Sequence, residues 1–76
     1  MNNLVLYATS DCHLCEQAQR ILYTTLGNNV QEIDIVNDEQ LLKRYALRIP
    51  VLRCVETGVE VDWPFDIKEI LLLVEH

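Results

Sequence analysis

Two cysteines separated by two residues, Cys12 and Cys15, are the side chains of this chain that are best suited to chemistry. Residues three apart near the start of a helix lie on one face, about 5–6 Å apart at Cβ, within reach of a disulfide. The bridge would close a loop of about four residues and would add only roughly 2 kcal/mol of stability. The spacing therefore indicates a working dithiol rather than a structural cross-link.

The elements around the pair predict different roles for its two sulfur atoms. The apolar run Leu4–Ala8 predicts a central strand, and apolar residues at helical spacing after the pair predict a helix that ends at Gly27. Cys12 would lie in the first turn of this helix, where unpaired backbone N–H groups favour a thiolate. Cys15 would face the sheet. We therefore expect Cys12 to be the attacking nucleophile and Cys15 the resolving thiol.

Two other interpretations of the pair stay open, namely a purely structural pair and one half of a zinc site. Zinc needs four ligands, and the chain offers besides the pair only Cys54, His13 and His76, none at ligand spacing. Cys54 lies on a predicted inner strand, where a free cysteine usually serves as a small buried residue. We therefore expect redox chemistry and no metal site.

The composition limits the class of protein. A length of 76 residues allows one domain at most, so we expect residues 1–76 to form a single domain. The longest apolar run is far below the ~20 residues of a membrane span, and the formal charge of −6 argues against nucleic acid and anionic membranes as partners. Three cysteines do not form a secreted disulfide framework, and no export signal is visible, so we expect a cytoplasmic protein.

The remaining segments predict an α/β fold with the order β-α-β-α-β-β-α. Alternating residues over 30–36 predict an edge strand, and Asn37 is the expected N-cap of a second helix. Residues 51–55 and 59–63 predict a hairpin, in which the charge of Arg53 must reach solvent or pair with a carboxylate.

A last helix is expected to begin at Asp66, because Asp66 with Glu69 has the spacing of a capping box. The expected inward-facing residues of this helix are Ile67, Ile70, Leu71 and Val74.

The whole chain resembles the thioredoxin fold and is most similar to small bacterial glutaredoxin-like proteins. Residues 6–10 resemble the glutaredoxin segment before its cysteines, and residues 45–50 resemble the thioredoxin segment before its proline. The resemblance implies a four-stranded mixed sheet with helices on both faces and thiol–disulfide oxidoreductase activity. It also implies that Pro50 is a cis-proline facing the dithiol and that the Ile49 backbone pairs with substrate. We further expect His13 and Leu14, which lie between the cysteines, to contact the substrate.

The chain departs from glutaredoxins at the site that holds glutathione. Glutaredoxins carry Gly-Gly and then Asp before the last helix, whereas this chain has Trp63, Pro64 and Phe65 before Asp66. Only Asp66 matches, although Arg48 or Arg44 is available for the glycine carboxylate. We therefore expect no tightly bound cofactor, glutathione as at most a weak co-substrate, and a protein dithiol or disulfide as partner of a monomer. Trp63 either lines the substrate groove or serves only hairpin packing.

Three functions are consistent with these residues. The leading expectation is a cytoplasmic thiol–disulfide oxidoreductase that uses Cys12 and Cys15. The first alternative is a thioredoxin-fold binding module without turnover. The second is a metal or iron–sulfur carrier in which Cys12 from two chains shares a cluster. A disulfide-reduction assay distinguishes the oxidoreductase from the binding module. Colour and dimerisation after anaerobic purification identify the metal or iron–sulfur carrier.

Overall fold

Four strands and three α-helices follow one another in the predicted order β-α-β-α-β-β-α, in a computed structural model that describes residues 3–75. The strands are β1 (Leu4–Ala8), β2 (Val30–Asp34), β3 (Val51–Cys54) and β4 (Glu60–Asp62). The helices are α1 (His13–Leu26), α2 (Glu39–Tyr45) and α3 (Ile67–Glu75). Within residues 3–75, no helix is long and apolar enough to cross a membrane.

The sheet is mixed and has the strand order β2-β1-β3-β4. β1 runs parallel to β2 and antiparallel to β3, and β3 runs antiparallel to β4. β1 and β3 are therefore the inner strands, which explains why their residues are almost all buried. The prediction that the second strand lies at a sheet edge is confirmed, and β4 forms the opposite edge.

Helices cover both faces of the sheet, as the resemblance implies. On one face, α1 and α3 pack against each other and against alternate residues of β1 and β3. On the other face, α2 buries Tyr45, whose ring stacks on Tyr7 at a centroid distance of 4.2 Å. The first face forms the main core, whose buried residues are Leu4, Leu6, Ala8, Cys15, Ala18, Leu22, Leu52, Cys54, Phe65, Ile70 and Leu73.

The segment between β2 and α2 differs from the sequence prediction. The alternating pattern predicts a strand through Val36, whereas β2 ends at Asp34 and a 3₁₀ helix occupies Ile35–Asn37. The Asp34 carboxylate accepts a hydrogen bond from the Val36 N–H at 2.9 Å, and this local bond competes with strand pairing. The predicted end of the strand is therefore wrong, although Ile35 is buried.

The N-cap of α2 is Asp38, so the prediction of Asn37 is wrong by one residue. Asp38 Oδ1 accepts hydrogen bonds from the backbone N–H groups of Gln40 at 2.9 Å and Leu41 at 3.2 Å. A carboxylate at this position also interacts favourably with the positive end of the helix dipole, which an amide side chain does not.

The buried face of α3 also differs from the prediction. Ile70 and Leu73 are buried, and Val74 packs at the margin of the main core. Ile67 and Leu71, which the sequence pattern places inward, are 53% and 44% exposed. A run of apolar residues on both sides of a helix does not by itself specify which stripe faces the sheet, so the packing against α1 decides it.

Candidate active site

The turn between β1 and α1 presents Cys12 at the start of the helix. Asp11 has a φ of 57°, in the left-handed region that Asp tolerates better than most residues, and Cys12 follows in an extended conformation as the N-cap. Cys12 Sγ accepts a hydrogen bond from the backbone N–H of Cys15 at 3.2 Å. The sulfur thus occupies the position of a capping oxygen, where the helix dipole favours negative charge.

Cys15 lies one turn further along α1 and is completely buried in the main core. Burial raises the pKa of the Cys15 thiol to about 11, and the hydrogen bond with Cys12 contributes in the same direction. A hydrogen bond with the Thr9 backbone opposes these effects only in part. The two sulfurs therefore differ as the sequence predicts, with a partly exposed Cys12 and an inaccessible Cys15.

The two residues between the cysteines point away from the core. The His13 side chain is 96% exposed and its Nδ1 lies 3.6 Å from the Glu16 carboxylate. Leu14 is 47% exposed. Both side chains are accessible to a molecule that approaches Cys12, and their substrate contacts stay a prediction.

The strand register brings the Ile49–Pro50 segment to the same end of the sheet as the dithiol. Tyr7 pairs with Val51 across β1 and β3, so Pro50 lies beside the end of β1 that leads to Cys12. The Ile49–Pro50 bond is cis, as predicted from the resemblance. Pro50 is fully buried, whereas Ile49 is half-buried between the two faces of the sheet.

Trp63 lies beside Pro50 on the other side of β3. Its backbone N–H donates a hydrogen bond to the Pro50 carbonyl at 3.1 Å, as expected if the fourth strand ends where the third begins. The half-buried Trp63 ring packs against the margin of the main core, as Cys12 and Ile49 do, and meets Phe65 edge to face at 5.1 Å. The bond from Trp63 to Pro64 is also cis, which the sequence did not predict.

Asp66 begins α3 with the predicted capping box. Its Oδ1 accepts a hydrogen bond from the Glu69 N–H at 2.9 Å, and Glu69 Oε1 accepts one from the Asp66 N–H at 3.3 Å. One carboxylate oxygen of Asp66 is therefore already used within its own helix. Its second oxygen is the one that could accept a hydrogen bond from a ligand.

An ion-pair network that the sequence did not predict holds the segment before Pro50. Arg48 donates hydrogen bonds to both carboxylate oxygens of Asp62, at 3.1 and 2.7 Å, and to Glu60 at 2.9 Å. The hydrogen bonds to Asp62, and then the one to Glu60, raise the pKa of Arg48. Arg48 therefore has internal carboxylate partners and is poorly suited to hold the carboxylate of a ligand.

The same network reaches the buried face below α2. The Tyr45 hydroxyl donates a hydrogen bond to Glu60, and Arg53 donates to Glu60 at 2.9 Å. Of the two outcomes expected for Arg53, exposure to solvent or pairing with a carboxylate, the structure shows the pairing. The register of the hairpin could have identified Glu60 as this carboxylate, because it places Arg53 and Glu60 directly opposite each other.

Among residues 3–75, no three histidine, cysteine, aspartate or glutamate side chains converge as a metal site. His76, which the sequence analysis considers as a zinc ligand, lies outside the described residues. Cys54 is completely buried in the main core, in agreement with its expected packing role.

Comparisons with known proteins agree with this fold. The model of the family described as Glutaredoxin-like domain (DUF836) matches residues 3–75. Comparison with the curated proteins found no match.

Solved structures of two bacterial proteins have the same fold and similar sequences. The X-ray structure of target protein XcR50 from X. campestris is 39% identical, has a TM-score of 0.82 and is matched over 95% of both chains. Its solution structure has a TM-score of 0.80 at the same 39% identity, over 99% of this chain and 94% of that one. Protein Ne2328 from Nitrosomonas europaea is 31% identical, with a TM-score of 0.72 over 93% of this chain and 88% of its own. Since the family model spans residues 3–75, the chain belongs to the glutaredoxin-like family and has a thioredoxin-like fold.

Proposed function

We propose that this protein is a thiol–disulfide oxidoreductase in which Cys12 is the nucleophile and Cys15 the resolving thiol. One observation carries the proposal: Cys12 Sγ is the accessible N-cap of α1 and accepts the N–H of Cys15, whose own thiol is buried one turn deeper. This asymmetry suits a dithiol that reacts with an external disulfide first through one sulfur and then through the other.

The first step is an attack by the Cys12 thiolate on one sulfur of a substrate disulfide. A bond forms between Cys12 Sγ and that sulfur, the substrate S–S bond breaks, and the other substrate sulfur leaves as a thiolate. The helix N-terminus stabilises the attacking thiolate, and the exposed flank of His13 and Leu14 leaves room for a large substrate.

The second step releases the substrate. Cys15 loses its proton and attacks Cys12 Sγ, so that a Cys12–Cys15 disulfide forms and the second substrate thiolate leaves. Two electrons have then passed from the dithiol to the substrate disulfide. Reduction of the Cys12–Cys15 disulfide by an external dithiol returns the protein to its starting state.

A protein disulfide is a better substrate than glutathione for this geometry. Pro64 has no N–H to offer to the γ-glutamyl carboxylate, and Trp63 places a large ring where glutaredoxins have glycine. Asp66 caps its own helix, and Arg48 is engaged by Asp62 and Glu60. The backbone donor is therefore missing, Asp66 and Arg48 are partly used, and Arg44 is the remaining cation for the glycine carboxylate.

We further propose that the protein works as a cytoplasmic monomer and binds neither nucleic acid nor membrane surfaces. A dithiol with a third, buried cysteine suits a reducing compartment, and the formal charge of −6 opposes binding to anionic polymers and lipids.

The decisive experiment is a redox titration of the dithiol combined with a turnover assay on a disulfide-bonded reporter protein. A single two-electron transition confined to Cys12 and Cys15, with catalysed reduction of the reporter, is the expected result. A dithiol that never cycles would contradict the proposal and support a binding module. Cys54→Ala is the matched control, because Cys54 lies on β3 within the core and should not change the transition.

A further inference from the structure

The turn that carries the dithiol contains a backbone conformation that residues with a side chain rarely adopt. β1 ends at Ala8 and α1 begins at His13, so residues 9–12 connect the strand to the helix. Within this connection Asp11 has a φ of 57°, in the left-handed region that is unfavourable for L-amino acids. The other positive φ angles within residues 3–75 belong to Gly27 and Gly58, and glycine adopts them readily.

The side chain of Asp11 does not account for this conformation. Aspartate can stabilise the left-handed region by a hydrogen bond to nearby backbone groups. The exposed Asp11 carboxylate makes no hydrogen bond or ion pair with any of residues 3–75. The conformation therefore follows from the course of the backbone, which is held on both sides of the turn because Ala8 and Cys15 are fully buried in the main core.

The residue after Asp11 is held by two hydrogen bonds. Cys12 Sγ accepts one from the Cys15 N–H at 3.2 Å, and the Cys12 carbonyl accepts one from the Glu16 N–H at 3.0 Å. Cys12 is extended, with a φ of −116° and a ψ of 107°, as is typical of an N-cap. A change of Asp11 to the right-handed region would turn its φ by about 120°. Because Ala8 and Cys15 stay in the core, we expect this turn to displace Cys12 Sγ from the Cys15 N–H.

The position of the Cys12 sulfur determines how readily it reacts. A thiolate is the attacking species in disulfide exchange, and N–H donors at a helix N-terminus stabilise it. A sulfur that leaves this position loses the N–H of Cys15 and lies further from the positive end of the helix dipole. The backbone conformation of Asp11 therefore controls the fraction of molecules in which Cys12 is ready to attack.

We propose that Asp11 is a positioning residue for disulfide exchange, because its left-handed backbone holds Cys12 Sγ at the N-terminus of α1. Asp11 acts through Cys12 and takes no part in the bond changes. In the step that it supports, the Cys12 thiolate forms a bond to one sulfur of a substrate disulfide, and the other sulfur leaves with the electron pair of the broken S–S bond. This inference rests on the proposed oxidoreductase function, since it names the residue that prepares the first step.

The test compares two uncharged variants of similar size, Asp11→Asn and Asp11→Val. Asparagine tolerates the left-handed region, whereas the β-branched valine strongly disfavours it. Stopped-flow mixing with an uncharged dipyridyl disulfide at neutral pH measures the release of the first thiopyridone. We expect Asp11→Val to release it about tenfold more slowly than Asp11→Asn, in line with the usual cost of a left-handed residue. Asp11→Gly should react as fast as Asp11→Asn, because glycine adopts a positive φ freely.

The pH dependence distinguishes placement of the thiolate from a general loss of structure. At about pH 10 an ordinary thiol is ionised without help from N–H donors, so the rates of Asp11→Asn and Asp11→Val should converge there. His13, Cys15 and Glu16 carry the nearest titratable groups along α1, and they are the same in all variants. Equal rates of the two variants at neutral pH, or an unchanged ratio of their rates at about pH 10, would overturn the assignment.

Urea unfolding at both pH values identifies the conditions in which each variant is fully folded, and rates are compared only there. Asp11→Ala replaces Asp11→Val if the valine variant does not fold, because alanine disfavours the left-handed region less than a β-branched residue does. The alanine variant should show the same order of rates with a smaller ratio.

Ser10→Val is the matched control for a valine in this turn. Ser10 is exposed, directly precedes Asp11 and does not have a positive φ, so valine is compatible with its backbone. We expect Ser10→Val to react as fast as wild type. A first release as slow as that of Asp11→Val would show that the valine side chain itself hinders the disulfide, and it would overturn the role of the Asp11 backbone.

A second reaction keeps this assignment separate from the proposed function. Alkylation of Cys12 by iodoacetamide needs the thiolate but no disulfide exchange, and it should show the same order of rates in the Asp11 variants. A wild-type protein that is alkylated at Cys12 but reduces no disulfide would overturn the oxidoreductase. Slower alkylation of Asp11→Val than of Asp11→Asn would still support the role of Asp11 in that case, and equal alkylation would overturn it.

Discussion

Arg48 and Asp62 form a bidentate ion pair, in which Arg48 Nε lies 3.1 Å from Asp62 Oδ2 and Arg48 Nη2 lies 2.7 Å from Asp62 Oδ1. Arg48 directly precedes Ile49 and Pro50, and Asp62 directly precedes Trp63. The pair therefore joins two segments that lie at the same end of the sheet as Cys12. Its partners are 36% and 47% exposed, so it positions these segments more than it stabilises the fold.

Asp62→Asn should reduce the free energy of unfolding by about 1 kcal/mol at pH 7, the upper end for an exposed pair. The hydrogen bonds from Arg48 hold the pKa of Asp62 below its ordinary value of 3.8. The stabilisation by the ion pair is therefore fully present above the ordinary pKa of Asp62. It is lost as the pH falls through the lower pKa that Asp62 has in the folded state. Urea unfolding should therefore show a lower free energy of unfolding for Asp62→Asn than for wild type at pH 7. This difference should be smaller below about pH 3. A difference that grows in acid would contradict the assignment.

Tyr45→Phe should reduce the free energy of unfolding by about 1–2 kcal/mol, because it removes a buried hydroxyl that Glu60 and Arg53 both contact. The stacking on Tyr7 survives, since the ring is kept. Tyr7→Phe is the control, and it should change stability less. Equal decreases in the free energy of unfolding of the two variants would mean that the hydrogen bonds of the Tyr45 hydroxyl do not contribute to stability.

The two cysteines should give different products when each is replaced. Cys12→Ser should abolish exchange with disulfide substrates, because the accessible sulfur is lost. Cys15→Ser should retain attack and accumulate a mixed disulfide on Cys12, because the resolving sulfur is absent. Intact-mass spectrometry after incubation with a disulfide peptide measures both outcomes. A stable mixed disulfide in Cys12→Ser would reverse the roles.

Alkylation should modify Cys12 first and Cys15 only at high pH. Thiolates react and thiols do not, and burial raises the pKa of Cys15 to about 11. The Cys15 thiol therefore stays protonated at neutral pH and ionises only as the pH approaches that value. Peptide mapping after short exposure to iodoacetamide between about pH 7 and pH 10 measures the order. Earlier labelling of Cys15 or Cys54 would contradict the predicted asymmetry.

Glutathione should bind at least about tenfold more weakly than to a glutaredoxin with the Gly-Gly-Asp segment. Loss of one backbone donor to a charged carboxylate typically costs about 1.5–3 kcal/mol, and Pro64 removes such a donor. Calorimetric titration of Cys15→Ser, with the mixed disulfide allowed to form, measures the affinity. Tight, saturable binding that depends on Asp66 would show that Trp63 and Pro64 are accommodated.

Local patterns in the sequence were sufficient to predict the order of the strands and helices and the unequal exposure of the two cysteines. A continuous apolar run specifies a buried strand, and a Cys-x-x-Cys pair at a helix start specifies an exposed and a buried sulfur. Gly27 marks the end of α1, with a φ of 65° that glycine adopts readily, and Asp66 with Glu69 marks the start of α3. Each of these signals depends on residues at most a few positions apart, which is why one sequence is enough to find them.

Only the tertiary structure decided which residues from distant segments meet. Arg48 finds Asp62, and Glu32 finds Gln19, because strand register and helix packing bring these segments together. The stripe of α3 that is buried, Ile70 with Leu73, was likewise decided by its packing against α1 and β3. Such choices depend on long-range geometry, in which a shift of one residue turns a side chain from one face to the other. Local propensity carries no information about that geometry.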